Sequence, residues 1–292
     1  MPPARRAPTR EWLPRAAALL AAGSVLLGCT STTTPARPTT APTPTFAPTL
    51  RSAPASPTAV APASRRRGPL RVVVLGDSVA ETLAAGFPDI AGRHGVTVFD
   101  AAIIGCGVTT LSPYRYFGAL HERPRRCGGW RHAWATAVRR HRPDVVLVLV
   151  GRWEVMDQRL RGRWTRIGER GYDAYLTRQL RSGYAAAAST GAPVVFATAP
   201  YYHRGDRPDG GSWPEDDPRR VDAFNHLLRS ALSAEPRVSF VDLNRRTSGG
   251  RHTYTNVVHG IRLRYDGVHF TLEAGRWIAP WIYPQLAAAA AR

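Results

Sequence analysis

Short apolar runs alternate with amphipathic patterns along most of the chain. The apolar runs cover residues 70–75, 96–102, 144–150, 193–199 and 237–243, and helical patterns cover residues 79–94, 130–142, 172–190, 218–234 and 272–290. The run at 145–150 is continuously apolar, which is typical of a parallel strand buried on both faces. This alternation predicts a three-layer α/β/α sandwich with a five-stranded parallel sheet, in one domain over residues 69–292.

A different pattern precedes this domain. Four arginines lie before an apolar stretch over residues 16–28, and Cys29 follows it. A basic segment followed by about 7–15 apolar residues is typical of a secretory signal, and the stretch is shorter than the roughly 20 residues of a membrane-spanning helix. The sequence Leu-Leu-Gly-Cys that ends at Cys29 resembles the lipobox of bacterial lipoproteins. It predicts a signal peptide over residues 1–28 and lipidation of Cys29; the alternative is an ordinary signal peptide with a coincidental cysteine.

Residues 29–68 are rich in threonine and proline and lack periodic apolar positions. Such a segment cannot bury enough apolar surface to offset the entropy lost on ordering, and its prolines keep it extended. We therefore expect a disordered tether. It would hold the domain outside the cytoplasm, anchored by lipid to the bacterial cell membrane.

The formal net charge of +19 suggests a nucleic-acid-binding protein, but its distribution does not support that class. Every basic residue is arginine, and nine of the 40 arginines lie before residue 68 together with one of the 21 acids. The domain keeps 31 arginines against 20 acids, a net charge of +11, and these arginines are scattered without a nucleic-acid-binding motif. We expect no nucleic-acid partner, and instead an anionic envelope surface or an acidic glycan.

Ser78 stands where the first predicted strand turns into the first predicted helix. Ligands of open parallel sheets bind beyond the carboxyl ends of the strands. Gly76 permits a sharp turn there, and the amide of a serine at a helix start can donate to a developing oxyanion. The segment therefore makes Ser78 a candidate nucleophile. A serine at this position is also a common helix N-cap, and Asp77 is a second candidate for that capping role.

Asp266 precedes His269 by three residues, in a glycine-containing turn just before the last predicted helix. An aspartate so placed can hold the imidazole from within the same loop. Nucleophilic catalysis by serine needs such a base and a carboxylate that fixes its tautomer. The alternative is that Asp266 and His269 only shape the loop and cap the helix. Combined with Ser78 at the other end of the domain, they predict a catalytic triad.

The segments around Ser78 and His269 resemble the first and last sequence blocks, Gly-Asp-Ser and Asp-x-x-His, of the SGNH/GDSL hydrolase superfamily, over roughly residues 70–290. The resemblance implies a flavodoxin-like sheet. It implies Ser78 as nucleophile, His269 as base and Asp266 as the acid that orients the base. It also implies that the amide of Gly105, in the second block, joins the Ser78 amide in an oxyanion hole.

The chain also resembles SGNH domains of actinobacterial envelope proteins, which are often fused to or related to membrane acyltransferases that O-acetylate glycans. This similarity implies a membrane-tethered serine esterase that acts on O-acyl, chiefly acetyl, groups of envelope glycans. With the same triad, a sugar hydroxyl in place of water would give an O-acetyltransferase. A non-catalytic glycan-binding module is the remaining alternative.

The third block departs from the superfamily pattern, since Gly-Arg-Trp-Glu at residues 151–154 replaces Gly-x-Asn-Asp. Trp153 stands where the asparagine that donates to the oxyanion would be. We consider Arg152 or the Trp153 indole N–H as a replacement donor, and Trp153 as a wall for a sugar ring. Alternatively, Arg152 and Glu154 pair with each other at the rim. Tyr201, after the fourth strand, is a further candidate for carbohydrate contact.

Cys106 and Cys127 are the only cysteines after Cys29, and both lie in the loop that follows the second strand. In an exported domain they predict a disulfide, with two buried thiols as the alternative. The acids at residues 215–217 precede a helix and favour capping over metal binding. We expect no cofactor, no metal and a monomer.

Overall fold

The computed structural model describes residues 68–292. The predicted signal peptide, Cys29 and nearly all of the predicted tether lie outside the described residues. The described residues comprise the α/β domain.

Five parallel strands form the central sheet. They are β1 (Leu70–Gly76), β2 (Val96–Asp100), β5 (Val145–Leu149), β8 (Val194–Ala197) and β9 (Val238–Val241). Their order is β2-β1-β5-β8-β9, and every neighbouring pair is parallel. The flavodoxin-like α/β/α prediction is confirmed. The middle strand β5 is buried along its whole length, as its continuous apolar run predicts.

Helices cover both faces of this sheet. One face carries α1 (Ser78–Ala85), α2 (Pro88–Ala91) and α7 (Leu272–Ala290), and the other carries α3 (Trp130–His141), α4 (Arg170–Ala187) and α5 (Pro218–Leu232); a short helix, α6 (Leu243–Arg246), follows β9. The prediction of one helix over 79–94 is wrong. The first helix ends before Phe87 and a second helix begins at Pro88, because the proline ring cannot be accommodated inside a continuous helix.

A small antiparallel sheet lies at the carboxyl edge of the central sheet and was not predicted. Its order is β4-β3-β6-β7, from β3 (Tyr114–Tyr116), β4 (Ala119–His121), β6 (Gln158–Leu160) and β7 (Arg163–Thr165). A two-stranded hairpin, β10 (Val257–Val258) and β11 (Ile261–Arg262), follows later in the chain. The four strands of the small sheet belong to the connections that leave β2 and β5, so they lie near the candidate site.

The apolar core lies between the central sheet and its two helical layers. Trp130 and Trp134 on α3 are fully buried, with ring centroids 4.7 Å apart, and they pack against Gly183 on α4. Among the helices of residues 68–292, none is both long and apolar enough to cross a bilayer.

Candidate active site

The turn from β1 to α1 presents Ser78 at the edge of the sheet. Gly76 has φ +147°, and a Cβ there would lie 1.9 Å from the carbonyl oxygen of Leu149 on β5. Only glycine fits this close approach of the two chains. Asp77 is the N-cap of α1, its Oδ1 accepting the amide of Val79 at 2.9 Å. Ser78 is therefore the first residue of the helix, with the capping role taken by its neighbour.

The last loop brings an imidazole to this serine. His269 Nε2 lies 2.9 Å from Ser78 Oγ, and His269 Nδ1 lies 2.8 Å from Asp266 Oδ2. The three predicted triad residues are thus hydrogen-bonded in series. This arrangement requires Nδ1 to carry the proton that Asp266 accepts, which leaves Nε2 free to accept from the serine hydroxyl.

Asp266 is itself held by its own turn. Its Oδ1 accepts the amides of Val268 at 3.0 Å and His269 at 2.8 Å. Burial raises the pKa of this carboxyl, but the hydrogen bonds from the His269 amide and ring and the Val268 amide outweigh it, so the pKa is lowered. Asp266 therefore stays ionised at neutral pH, as an orienting carboxylate must.

The triad turn packs against the loop that follows β8. Gly267 has φ +82°, and a Cβ there would lie 1.8 Å from the carbonyl oxygen of His203. The His203 amide donates to the carbonyl of Gly267 at 3.0 Å. The position of the base therefore depends on the position of this neighbouring loop.

Gly105 lies in the loop after β2 in a left-handed conformation, φ +76°. The loop is joined to β1 by the Ile103 amide, which donates to the Gly76 carbonyl at 2.8 Å. The Cys106–Cys127 disulfide closes the segment that follows. These bonds fix the Gly105 segment beside the end of β1, where Ser78 begins its helix.

The substrate contact predicted for Arg152 requires an exposed side chain. The structure instead buries Arg152. It is 3% exposed, and its Nη1 donates to Asp216 Oδ1 at 2.6 Å and to the Glu215 carbonyl at 2.9 Å. Asp216 Oδ2 accepts the amide of Arg204, the residue after His203. Arg152 therefore braces the loop on which the triad turn packs.

The alternative of an Arg152–Glu154 pair is also wrong. Glu154 is fully buried, and its Oε1 accepts the amides of Val108 at 2.7 Å and Thr109 at 3.2 Å. Burial raises the pKa of this carboxyl. Glu154 therefore fixes the backbone just beyond Gly105. The third sequence block, which contains Glu154, thus supports the second block, which contains Gly105.

Trp153 lies between these two residues with its ring half-buried. The ring packs edge-on against Tyr114, centroids 5.5 Å apart, and lies 3.9 Å from the position that a Cβ on Gly105 would take. Its indole nitrogen is shielded from solvent and has no hydrogen-bond partner among residues 68–292. The ring is thus a wall beside Gly105, and its N–H does not point to the open site.

Tyr201 is 3% exposed, and its hydroxyl is hydrogen-bonded within the protein. The hydroxyl donates to Asp222 at 2.7 Å and accepts the His252 amide at 3.1 Å. Tyr201 nevertheless lines a cleft of about 700 Å³ beyond β8 and β9. It forms part of the wall of that cleft, and the carbohydrate contact by Tyr201 stays a prediction.

Sequence reasoning missed two side chains at the triad. Tyr265 stacks on the imidazole of His269, centroids 5.7 Å apart, and is 53% exposed. Arg204 Nη1 lies 3.8 Å from Asp266 Oδ2. Tyr265 directly precedes Asp266 in the sequence, and this adjacency was a usable signal. Arg204 is 62 positions from Asp266 along the chain and gave none.

Comparisons with known proteins agree with this geometry. Residues 48–284 match the family of SGNH domains that are fused to AT3 domains. No curated protein sequence matches the chain.

Solved structures share the fold at low sequence identity. A candidate acylhydrolase from Bacteroides fragilis superposes with a TM-score of 0.52 and 16% identity, over 77% of this chain and 91% of that one. A GDSL-like lipase from Bacteroides thetaiotaomicron gives a TM-score of 0.50 and 16% identity, over 75% and 88%. At this identity the likeness establishes the fold.

Proposed function

Since the chain belongs to the SGNH domain family, we propose that it is a serine esterase that cleaves O-acyl, chiefly O-acetyl, esters of envelope glycans. The observation that carries the proposal is the hydrogen-bonded series Ser78–His269–Asp266 at the carboxyl edge of the sheet. Serine esters form and hydrolyse through such a series.

In the proposed reaction, Ser78 Oγ attacks the ester carbonyl carbon as its proton passes to His269 Nε2. The carbonyl electron pair moves to oxygen, and the resulting oxyanion is bound by the amides of Ser78 and Gly105. His269 then gives the proton to the departing alkoxide, leaving an acyl-serine. Water, deprotonated by the same imidazole, then attacks the acyl carbon. The bond from that carbon to Ser78 Oγ breaks, the imidazolium returns its proton to Oγ, and the acid is released.

The oxyanion hole in this proposal uses two backbone amides and no side chain. Removing one oxyanion donor costs about 2.7–4 kcal/mol in a well-studied protease, so we expect a modest kcat. The helix dipole of α1 adds to the stabilisation of the oxyanion by the Ser78 amide.

The proposal is tested with purified protein and p-nitrophenyl acetate. Wild type releases nitrophenolate and is labelled at Ser78 by a fluorophosphonate, as located by mass spectrometry. Ser78→Ala is expected to lose both, while Ser182→Ala, a serine on the exposed side of α4, keeps both. Full activity in Ser78→Ala would refute the esterase. Glycan binding without labelling of wild type would favour a non-catalytic module.

A transferase is the second candidate, favoured by the match to domains that are fused to AT3 domains. A sugar hydroxyl that replaces water in the second step gives an O-acetyltransferase with the same residues. Acetate release and acetyl transfer to an added oligosaccharide, measured in one reaction, separate the two.

A carbohydrate substrate is supported by two features at the carboxyl edge of the sheet. The exposed Tyr265 ring beside His269 suits stacking on a sugar. The 700 Å³ cleft beyond β8 and β9 lies on the same edge of the sheet and is lined by polar side chains. Together they favour an extended polar ligand.

We also propose that the protein is bound to the membrane through lipid on Cys29. The support is the Leu-Leu-Gly-Cys sequence after a basic and apolar segment. A multiply acylated cysteine would anchor firmly, since each buried methylene contributes about 0.8 kcal/mol. Cys29→Ser should move the protein from the membrane fraction to the soluble extracytoplasmic fraction.

A further inference from the structure

Two carboxyl groups lie behind the candidate site where solvent does not reach. Asp77 follows β1 and Glu154 follows β5, and these strands are paired neighbours in the sheet. Both side chains are 0% exposed. Asp77 Oδ2 and Glu154 Oε2 are buried, and neither has a hydrogen-bond partner among residues 68–292. Both acids are therefore buried behind the candidate site, and the charge of Glu154 acts on Asp77.

Each of these carboxyl groups holds one half of the proposed oxyanion hole. Asp77 Oδ1 caps α1 through the Val79 amide and so sets the start of the helix at Ser78. Glu154 Oε1 accepts the amides of Val108 and Thr109. The same oxygen packs closely against the backbone that joins Gly105 to Val108. Any displacement of one carboxyl from the other moves the two donor segments relative to each other.

The groups that face the pair are two arginines and two tyrosines: Arg123, Arg152, Tyr172 and Tyr202. Neither arginine donates a hydrogen bond to the pair. Arg152 is bound to Asp216, and Arg123 donates to the Leu111 carbonyl at 2.9 Å. The pair therefore lacks the salt bridges that would let two buried carboxylates ionise together.

We propose that the buried pair Asp77 and Glu154 holds one proton at neutral pH, and that both residues act as positioning residues for the Ser78 and Gly105 amides. The inference rests on the proposed serine esterase mechanism. With one proton the pair carries one negative charge, and both sets of amide contacts persist. Loss of that proton leaves two buried like charges, and their repulsion separates the helix start from the Gly105 segment.

The titration of Asp77 agrees with this geometry. Burial, and then the nearby Glu154 carboxylate, raise the pKa of Asp77 from its ordinary value of 3.8 to about 7. The direction of this shift is consistent with a pair that holds one proton at neutral pH.

The kinetic test uses the full chain with p-nitrophenyl acetate across pH 6 to 9.5. Wild-type kcat should fall by about tenfold to a hundredfold on the alkaline side with KM unchanged, because the oxyanion donors are displaced while binding is not. Asp77→Asn and Glu154→Gln each leave one carboxyl and keep an acceptor oxygen for the amides. Both should therefore lose the alkaline fall. Asp89→Asn, at an exposed carboxylate, should retain it. An alkaline fall unchanged in both amide variants overturns the proposal.

An infrared measurement decides the proton without turnover. In the full chain carrying Ser78→Ala, a band of a buried protonated carboxyl should be present at pH 6 and disappear as the pH rises. The same band should be absent when Asp77→Asn is added, and present with Asp89→Asn. Its absence at pH 6 overturns the proposal that the pair holds a proton, even if the esterase is active. If wild type lacks esterase activity, the proposed function fails, and the band still decides whether the pair holds a proton.

Discussion

The Asp266 carboxylate uses its two oxygens for different tasks. One accepts two amides of its own turn and the other accepts the imidazole. The turn thus aligns the acid before it aligns the base. The same hydrogen bonds that lower the pKa of Asp266 also keep His269 in one tautomer, so structure and protonation state are set by one group.

Asp266→Asn should lower kcat on p-nitrophenyl acetate by about 10⁴-fold, the loss known for the equivalent change in a serine protease. An amide can present its NH₂ to His269 Nδ1 and favour the wrong tautomer. The check is steady-state kinetics, with Asp209→Asn, an exposed loop aspartate, as the control. A kcat within threefold of wild type would remove Asp266 from the triad.

At the scale of elements, the turn between β1 and α1 depends on close contact with β5. Gly76 combines a positive φ with a backbone approach that leaves no room for a methyl group. Ser78 is therefore placed by the packing of two neighbouring strands, and not by the helix alone.

Gly76→Ala should lower the free energy of unfolding by about 2–4 kcal/mol, because it adds a steric clash to backbone strain. Gly162→Ala is the matched control, since Gly162 has φ +80° and open space around its Cβ position. It reports the strain alone, about 1 kcal/mol. Urea unfolding of both variants provides the measurement, and equal losses would contradict the role of the β5 contact.

The elements that could be predicted from the sequence are those with long, regular patterns. Five apolar runs identified the parallel sheet, and Gly-Asp-Ser with Asp-x-x-His identified the triad positions. The small antiparallel sheet has strands of three residues, too short for a period to show.

Charged residues in the interior were the other source of error. Among the acids at 215–217, only Asp217 caps α5, as predicted. Glu215 accepts the Phe117 amide at 2.7 Å, and Asp216 pairs with Arg152. In a sequence, a buried acid and a capping acid look the same, because the distinction depends on partners 60 to 100 positions away.

At the scale of the whole molecule, the pKa shifts of Asp266 and Asp77 have opposite effects on the stability of the fold as the pH changes. Asp266, with its lowered pKa, stabilises the fold above its ordinary titration range and loses this as the pH falls. Asp77, with a pKa of about 7 in the folded chain and 3.8 ordinarily, behaves oppositely. The folded state holds its proton longer than the unfolded state, so the stability from Asp77 is lost as the pH rises from about 4 to about 7.

Asp77→Asn should remove the loss of stability that accompanies the rise in pH from about 4 to about 7. The free energy of unfolding of wild type, relative to the variant, should decline by up to about 1.4 kcal/mol per pH unit between pH 4 and 7 and level off above. Urea unfolding at pH 5, 6, 7 and 8 gives the two curves. Parallel curves would mean that Asp77 titrates alike in both states.

The serine and the histidine that meet in this site are 191 residues apart along the chain. A polypeptide synthesised amino end first therefore carries Ser78 without its imidazole partner until residue 269 has been made. Cleavage anywhere between the two residues, if the pieces part, leaves a nucleophile without a base. A site that needs both residues is therefore completed only in a late step.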